Sequence, residues 1–156
     1  MSWQDEVTEL EQRRTRALGM GGKENIQRHH DRGKLTARER IDRIADPDSF
    51  REARMLVGES QYTDGQLQSF LPKGSVEGTV KIDGRKVVVV AGDFTVRGGS
   101  GGGTNRGSLG AEPYATQRAI EWRLPYVRLL DAAGGSVRGF ETLGRTYLPD
   151  GNSYGR

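Results

Sequence analysis

Two clusters of glycine are the residues of this sequence whose types and spacing are best suited to chemistry. Seven of the 13 residues from Gly98 to Gly110 are glycine, and Gly134 and Gly135 form a second, shorter cluster. Glycine loses more conformational freedom on folding than any other residue, so folded proteins keep glycines where a side chain would obstruct a ligand or where φ must be positive. Backbone N–H groups at a helix N-terminus can bind a carbonyl oxygen that becomes negative during an enolate or acyl-transfer reaction. From spacing alone, Gly134 and Gly135 fit such an oxyanion site and a sharp turn from strand to helix equally well.

Two common phosphate-binding motifs do not fit these glycines. A P-loop needs Ser or Thr after its Gly-Lys pair, but Lys23 is followed by glutamate and Lys34 by leucine. The dinucleotide pattern G-x-G-x-x-G fails as well, because the third residue after Gly103 is Arg106. The sequence therefore argues against nucleotide hydrolysis and against dinucleotide-dependent dehydrogenation.

Metal and thiol chemistry is not indicated either. The sequence contains no cysteine, and its two histidines, His29 and His30, are adjacent and cannot share one helix face. We therefore expect no metal site.

Charge and hydropathy argue against two further classes of protein. The net charge is +3, but residues 1–56 carry 12 basic and 11 acidic groups and residues 57–156 carry 12 and 10, so no basic stripe for nucleic acid is present. No stretch approaches the roughly 18 apolar residues of a membrane span. The N-terminus is acidic and polar, unlike a signal peptide. We expect no nucleic acid or membrane partner and a cytoplasmic location.

Three helices are predicted in an N-terminal helical segment, residues 1–48, which precedes the glycine clusters. The helical period predicts a first helix over residues 3–18, with an apolar face formed by Trp3, Val7, Leu10 and Leu18. A short second helix over residues 23–33 ends at a glycine. Thr36 and Glu39 have the spacing of a capping box that opens a third helix over residues 36–46.

An α/β pattern follows in residues 49–156. Residues 49–74 are weakly patterned, residues 75–82 alternate as a half-exposed strand, and Asp83-Gly84 favours a hairpin turn. The return strand, residues 85–94, is continuously apolar from Val87 to Ala91 and should be buried on both faces. A helix over residues 111–122, with Pro113 in its first turn, leads to a strand over residues 126–130. A right-handed strand–helix–strand unit places both glycine clusters beyond the carboxyl ends of its strands, where ligands gather.

Three stretches of the chain stand out as longer motifs: GKLTARERI followed by ADPDSF, VEGTVKIDGRKVVVVAGDFTVRGGSGG, and LPYVRLLDAAGGSV, which begin at Gly33, Val76 and Leu124. Together they resemble the N-terminal part of the carboxyltransferase β subunits of biotin-dependent acyl-CoA carboxylases, of the acetyl-, propionyl- and methylcrotonyl-CoA type. The resemblance is collinear over most of the chain. It implies a crotonase-like fold of repeated ββα units, here incomplete, for which residues 49–156 would form the first part of the carboxyltransferase N domain.

The resemblance also implies the reaction, the cofactor and the partners. A carboxyl group would pass from biotin, carried by a separate carrier domain, to the α-carbon of an acyl-CoA through an enolate, with no metal. The partners would be the biotin carboxylase and biotin carboxyl carrier subunit, the acyl-CoA, and further copies of the chain in an oligomer, which is a hexamer in the family. Such an enzyme belongs to fatty acid metabolism, and neither the acyl chain nor the direction, carboxylation or decarboxylation, follows from the sequence.

Site residues carried over from the family fall on both glycine clusters. The N–H groups of Gly134 and Gly135 would hold the enolate oxygen, although an ungapped comparison with the family's D-S-G-G-A selects Ala133 and Gly134 instead. Gly98, Gly99 and Ser100 would line the mouth through which the thioester enters, and Arg106 is a candidate contact to a CoA phosphate.

Length separates this chain from the family it resembles. Members are considerably longer, and the chain stops before the first crotonase-like half is complete, so we expect little or no carboxyl transfer by these 156 residues alone. The alternative interpretation is a truncated, non-catalytic fragment that binds CoA or takes part in assembly.

Overall fold

A computed structural model describes residues 3–99 and 107–132, with the side chains of residues 107–113 excepted. Its helices are α1 (Gln4–Leu18), α2 (Lys23–His30), α3 (Ala37–Ile44) and α4 (Gly107–Trp122). Its strands are β1 (Arg51–Ala53), β2 (Gly58–Thr63), β3 (Gln66–Pro72), β4 (Ser75–Ile82), β5 (Arg85–Gly92) and β6 (Tyr126–Leu129). A 3₁₀ turn, Arg97–Gly99, follows β5. In the part of the chain described, no helix combines the length and the apolar character that a membrane span requires.

A mixed four-stranded sheet in the order β1-β4-β5-β6 forms the centre of the fold. β4 pairs antiparallel with β1 and with β5, whereas β5 and β6 are parallel and joined through α4. This confirms the predicted hairpin, whose turn places Asp83 and Gly84 at φ of 49° and 75°. β2 and β3 form a separate two-stranded ribbon that the weak pattern of residues 49–74 does not predict.

Both faces of β5 are covered, as its continuous apolar run predicts. One face packs Val87, Val89 and Ala91 against Val76 and Val80 of β4 and against Ile41 of α3. The other face packs Val88 and Val90 against Ala115 and Ala119 of α4. α3 is therefore part of the core, and the predicted boundary between residues 48 and 49 stays a prediction.

The N-terminal helices agree with the sequence in position, but the predicted apolar face of α1 is not buried as a whole. Ala17 is its buried residue, while Trp3, Val7 and Leu18 are exposed. The capping box of α3 is confirmed, because Thr36 Oγ1 accepts from Glu39 N at 3.3 Å and Glu39 Oε2 accepts from Thr36 N at 2.7 Å.

α4 begins four residues before the predicted start, at Gly107, so Pro113 does not lie in its first turn. Gly107 and Gly110 have low helix propensity, so the sequence predicts a loop where the first turn of α4 lies. The helix predicted after Gly135 lies outside the described residues.

Candidate functional site

The carboxyl ends of β5 and β6 lie side by side. In the parallel register Ala91 pairs with Leu129. The next residues along the chain are Gly92, which ends β5, and Leu130, which follows β6. The chain that leaves β5 leads to the first glycine cluster, and the chain that leaves β6 leads to the second. This shared edge is the place where an open α/β sheet binds its ligands.

A buried polar turn follows β5. Asp93 and Thr95 are 2% and 4% exposed, and Asp93 Oδ1 accepts from the backbone N–H of Thr95 at 3.0 Å and from its hydroxyl at 2.6 Å. The N–H of Asp93 donates to Gly74 O at 2.9 Å. The carboxylate thus fixes the direction in which the chain leaves the sheet.

The link between α1 and α2 supports this turn from outside. Gly21 N donates to Thr95 Oγ1 at 3.0 Å, and a Cβ at position 21 would lie 1.9 Å from the carbonyl oxygen of Thr95. Only glycine allows this approach, which no real Cβ could make.

The predicted site residues Gly98 and Gly99 lie in the 3₁₀ turn beyond Thr95, where three successive residues have positive φ. The angles are 50° at Arg97, 64° at Gly98 and 69° at Gly99. For arginine this left-handed conformation is strained. The guanidinium of Arg97 forms two contacts with the carboxylate of Glu59 in β2, at 2.7 and 2.5 Å. Hydrogen bonding to Arg97 lowers the pKa of Glu59 below its usual value, so the carboxylate stays charged at neutral pH.

Arg40 of α3 binds backbone carbonyls at the ends of both strands. Its Nη1 lies 3.2 Å from Leu129 O and 3.3 Å from Leu130 O, and its Nη2 donates to Gly92 O. A guanidinium presents its donors as a planar fork, which suits several carbonyl oxygens at once.

Asp131, the second residue after β6, meets two cationic or proton-donating side chains from the N-terminal segment. Its Oδ2 lies 3.3 Å from Nε2 of His29, and its Oδ1 accepts from Nζ of Lys34 at 3.2 Å. His29 Nε2 also lies 3.2 Å from Leu35 O. Both oxygens are acceptors, so Nε2 carries the proton.

His29 itself is placed to support rather than to react. Its side chain is 3% exposed and its ring is stacked on Phe94, with the two centroids 5.8 Å apart. Lys34 Nζ lies 5.1 Å from the centroid of the same Phe94 ring. The histidine therefore contacts Asp131 from a position that is almost closed to solvent.

A second group of charged side chains surrounds Glu77 of β4, which pairs with Val90 of β5, two residues before Gly92. Glu77 is 1% exposed and pairs with Lys73 and, at 3.6 Å, with Arg54. Burial lowers the pKa of Lys73 despite this partner. The carboxylate of Glu77 thus contacts two cations outside β4, Lys73 in the loop before this strand and Arg54 after β1.

The predicted site residues fall into two sets. Gly98 and Gly99 lie in the 3₁₀ turn that follows β5, and their role in binding stays a prediction. Ser100, Arg106, Ala133, Gly134 and Gly135 lie outside the described residues, and their roles stay predictions. Within residues 3–99 and 107–132, no group of three His, Asp or Glu side chains could hold a metal, and the expected lack of a metal also stays a prediction.

Sequence reasoning did not find Arg40, His29, Lys34 and Asp131 as neighbours. The contact of Arg40 with Leu129 joins residues 89 positions apart and that of Lys34 with Asp131 joins residues 97 positions apart, and no local period predicts such pairing. The one usable signal is that Lys34 and Arg40 both lie in the GKLTARERI stretch, which resembles the family more specifically than a glycine pair does.

Comparison with known proteins gives a consistent result. The profile described as "Carboxyl transferase domain" matches residues 28–147. The chain is 38% identical over 148 residues to the propionyl-CoA carboxylase carboxyltransferase subunit of Haloferax mediterranei, covering 92% of this chain and 28% of that protein. It is 34% identical over 137 residues to the methylmalonyl-CoA decarboxylase subunit alpha of Veillonella parvula, covering 86% and 26%.

A solved structure shows the same fold. The chain superimposes on transcarboxylase 12S, described as a hexamer with methylmalonyl-coenzyme A bound, with a TM-score of 0.72 and 27% identity. The match covers 92% of this chain and 28% of that one. The expected crotonase-like α/β fold, present in part, is thereby confirmed. The chain spans little more than a quarter of the length of the relatives it matches.

Proposed function

This chain belongs to the carboxyl transferase domain family, and we propose that it is part of a biotin-dependent acyl-CoA carboxyltransferase that binds the acyl-CoA thioester at the shared end of β5 and β6. The observation that carries the proposal is the placement of the Arg97–Gly99 turn and Asp131 at this one edge, within the region that matches the family. The relatives named above support an acyl-CoA as the substrate.

The proposed contribution of this chain is binding and electrostatic stabilisation. Gly98 and Gly99, with Ser100, would line the entrance for the thioester, and Arg106 would contact a CoA phosphate. The N–H groups at Gly134 and Gly135, or at Ala133 and Gly134, would hold the enolate oxygen. One lost oxyanion donor costs about 10²- to 10³-fold in rate, so backbone alone can supply a large part of the catalysis.

Biotin would arrive on a separate carrier and supply the carboxyl group. We assign no residue to it, because the described donors at the sheet edge, Arg40 and Lys34, already bind protein oxygens. The biotin carboxylase and carrier subunit, a homo-oligomeric assembly and a cytoplasmic location complete the proposal.

The alternative of a non-catalytic fragment that binds CoA or serves assembly is not favoured by the comparisons, since the match extends across most of the chain. Both interpretations predict that the isolated 156 residues bind acyl-CoA without turnover. They differ for the enzyme supplied with the remaining part of the carboxyltransferase, in which only the proposed function predicts turnover.

The experiment that tests the proposal is a carboxylation assay. Labelled bicarbonate, biotin carboxylase, the biotinylated carrier and a panel of acyl-CoA thioesters are combined with the complete enzyme that contains this chain. We expect label in one or more acyl-CoA products, and the reverse reaction from the carboxylated product reports decarboxylation. No turnover in either direction, with the remaining part of the enzyme supplied, would refute the proposal.

A further inference from the structure

We propose that the N-terminal helical segment holds the chain leaving β6 in its working position, with Arg40 and Asp131 as the positioning residues. The catalytic consequence of this inference rests on the proposed function. The structural inference itself concerns only how the end of β6 is held.

Arg40 joins the ends of two strands that no backbone ladder joins beyond Leu129. Its Nη1 reaches Leu129 O and Leu130 O, at 3.2 and 3.3 Å, and its Nη2 reaches Gly92 O. One guanidinium thus fixes the separation of β5 and β6 at the point where the proposed site begins. A lysine has a single ammonium group and cannot reproduce this fork.

The helix that carries Arg40 is itself held firmly. α3 begins with a complete capping box, and Ile41, next to Arg40, is 0% exposed within the core of the sheet. Because α3 is fixed in the core, the guanidinium of Arg40 holds the ends of both strands in a fixed position relative to the core. Its role is therefore more than a surface contact.

Asp131 adds a second tether one residue beyond the carbonyls that Arg40 holds. Lys34 and His29 contact different oxygens of its carboxylate, at 3.2 and 3.3 Å. Both partners come from the segment around α2, and the carboxylate is mostly buried. The direction of the chain is thus fixed by a side chain as well as by the strand.

The tether lies close in sequence to the candidate oxyanion residues. Gly134 lies three positions after Asp131, and three residues span at most about 11 Å. Fixing Asp131 therefore restricts where the N–H groups of Gly134 and Gly135 can lie. A displacement of about 1 Å in such a site can lower the rate roughly 10²-fold.

The test compares Arg40→Lys, Arg40→Met and Asp131→Asn with two controls on the assembled enzyme that contains this chain. Arg38 lies on the same helix as Arg40, and its guanidinium forms two contacts with the carboxylate of Glu52 in β1, at 2.7 and 3.0 Å. Arg38→Met breaks this ion pair without removing a contact to the ends of β5 and β6. His30→Ala removes the neighbour of His29; the imidazole of His30 contacts Glu39 and not Asp131.

Hydrogen exchange of the backbone is the first readout. We expect the Arg40 and Asp131 variants to accelerate exchange in the peptide covering residues 129–136 by roughly tenfold or more, as loss of a charge-assisted hydrogen bond implies. Exchange in the β4–β5 hairpin should stay unchanged in these variants. Neither control should accelerate the 129–136 peptide selectively.

Kinetics are the second readout. We expect kcat to fall roughly 10²-fold in Arg40→Lys while KM for acyl-CoA changes less than about threefold. Arg38→Met should lower activity only as far as it lowers the folded fraction. If Arg40→Met does not fold, Arg40→Lys and Asp131→Asn still decide the question.

Two outcomes would overturn the inference. One is unchanged exchange of residues 129–136 in both Arg40→Lys and Asp131→Asn. The other is an activity loss in Arg40→Lys that Arg38→Met reproduces at equal stability. An enzyme that turns over no acyl-CoA even without substitution would refute the proposed function, whereas the exchange measurement would still test the tether.

Discussion

The guanidinium of Arg40 lies 3.2 Å from the carbonyl oxygen of Leu129, although 89 positions of sequence separate the two residues. This contact brings the N-terminal helices and the end of the last described strand into one structural unit. The N-terminal helical segment, which the sequence predicts as a separate region, therefore supports the candidate site.

Thr95 and Asp93 give a first prediction, which concerns the buried turn after β5. Thr95→Val removes the hydroxyl that donates to Asp93 Oδ1 at 2.6 Å and accepts from Gly21 N at 3.0 Å. Because a buried carboxylate then loses a donor, we expect the free energy of unfolding to fall by about 1.5–3 kcal/mol, measured by chemical denaturation.

The matched control is Thr95→Ser, which keeps the hydroxyl and removes one methyl group. We expect it to cost less than about 1 kcal/mol. Equal losses in the serine and valine variants would show that packing, and not the hydrogen bond, makes Thr95 important.

Gly21 gives a second prediction. A Cβ at this position would lie 1.9 Å from Thr95 O, so Gly21→Ala has to displace the turn that follows β5. We expect a loss of about 1–3 kcal/mol in the free energy of unfolding, as for other overpacked sites.

Gly74→Ala is the comparison for Gly21→Ala, since a Cβ there meets only Asp93 O, at 4.0 Å. Its unfolding midpoint in denaturant should stay close to that of the unsubstituted chain. A Gly21→Ala variant as stable as Gly74→Ala would contradict the close approach of residue 21 to Thr95.

Glu39 gives a third prediction, which concerns pH. Hydrogen bonding to His30, and secondly to the backbone of Thr36, lowers the pKa of the Glu39 carboxyl below its usual value. A carboxyl with a lowered pKa in the folded state stabilises the fold above its unfolded pKa, and this contribution disappears as the pH falls through the folded value.

Glu39→Gln retains the capping hydrogen bond but not the charge, whereas Glu39→Ala loses both. Near pH 6 we expect losses of about 0.2–1 kcal/mol for glutamine and about 0.5–2 kcal/mol for alanine. Below pH 4.5 the difference between glutamate and glutamine should shrink in denaturation curves. A difference that grows as the pH falls would reverse the sign and reject the ion pair with His30.

The sequence predicts the β4–β5 hairpin well and the β2–β3 ribbon not at all, for physical reasons. Residues 75–82 alternate in hydropathy and Asp83-Gly84 marks the turn, so local signals agree. In the ribbon, the register between Gln61 and Tyr62 shifts so that Gln68 of β3 has no partner. This bulge places Leu67 and Phe70, three residues apart, in the buried set and removes the period of two.

The candidate site shows the same division between local and long-range information. The order of strand, helix and strand predicts a site beyond the strand ends, and Gly98 and Gly99 lie in the turn that follows β5. The contacts of Arg40, His29 and Lys34 do not follow, because each depends on how separate elements pack. Asp131, which stands alone in sequence, acquires its partners only through the fold.

Gly98 gives the last prediction, which separates a role in substrate entry from a role in folding. Gly98 has φ of 64°, and no atom of the described residues lies within 4 Å of an added Cβ. Gly98→Ala therefore strains the backbone by about 1–2 kcal/mol without a clash. Gly65, in the turn between β2 and β3, has φ of 75° and equally open surroundings, so Gly65→Ala has the same intrinsic cost away from the strand ends.

We expect Gly98→Ala and Gly65→Ala to lower the free energy of unfolding by similar amounts, because the same left-handed conformation is penalised in both. Titration calorimetry with acyl-CoA should distinguish them, since Gly98 would line the entrance for the thioester and Gly65 would not. A loss of about 1.4 kcal/mol in binding corresponds to a tenfold weaker Kd, and we expect at least this for Gly98→Ala alone. Equal affinity of the two variants would remove Gly98 from the thioester site and leave its positive φ as a requirement of the turn itself.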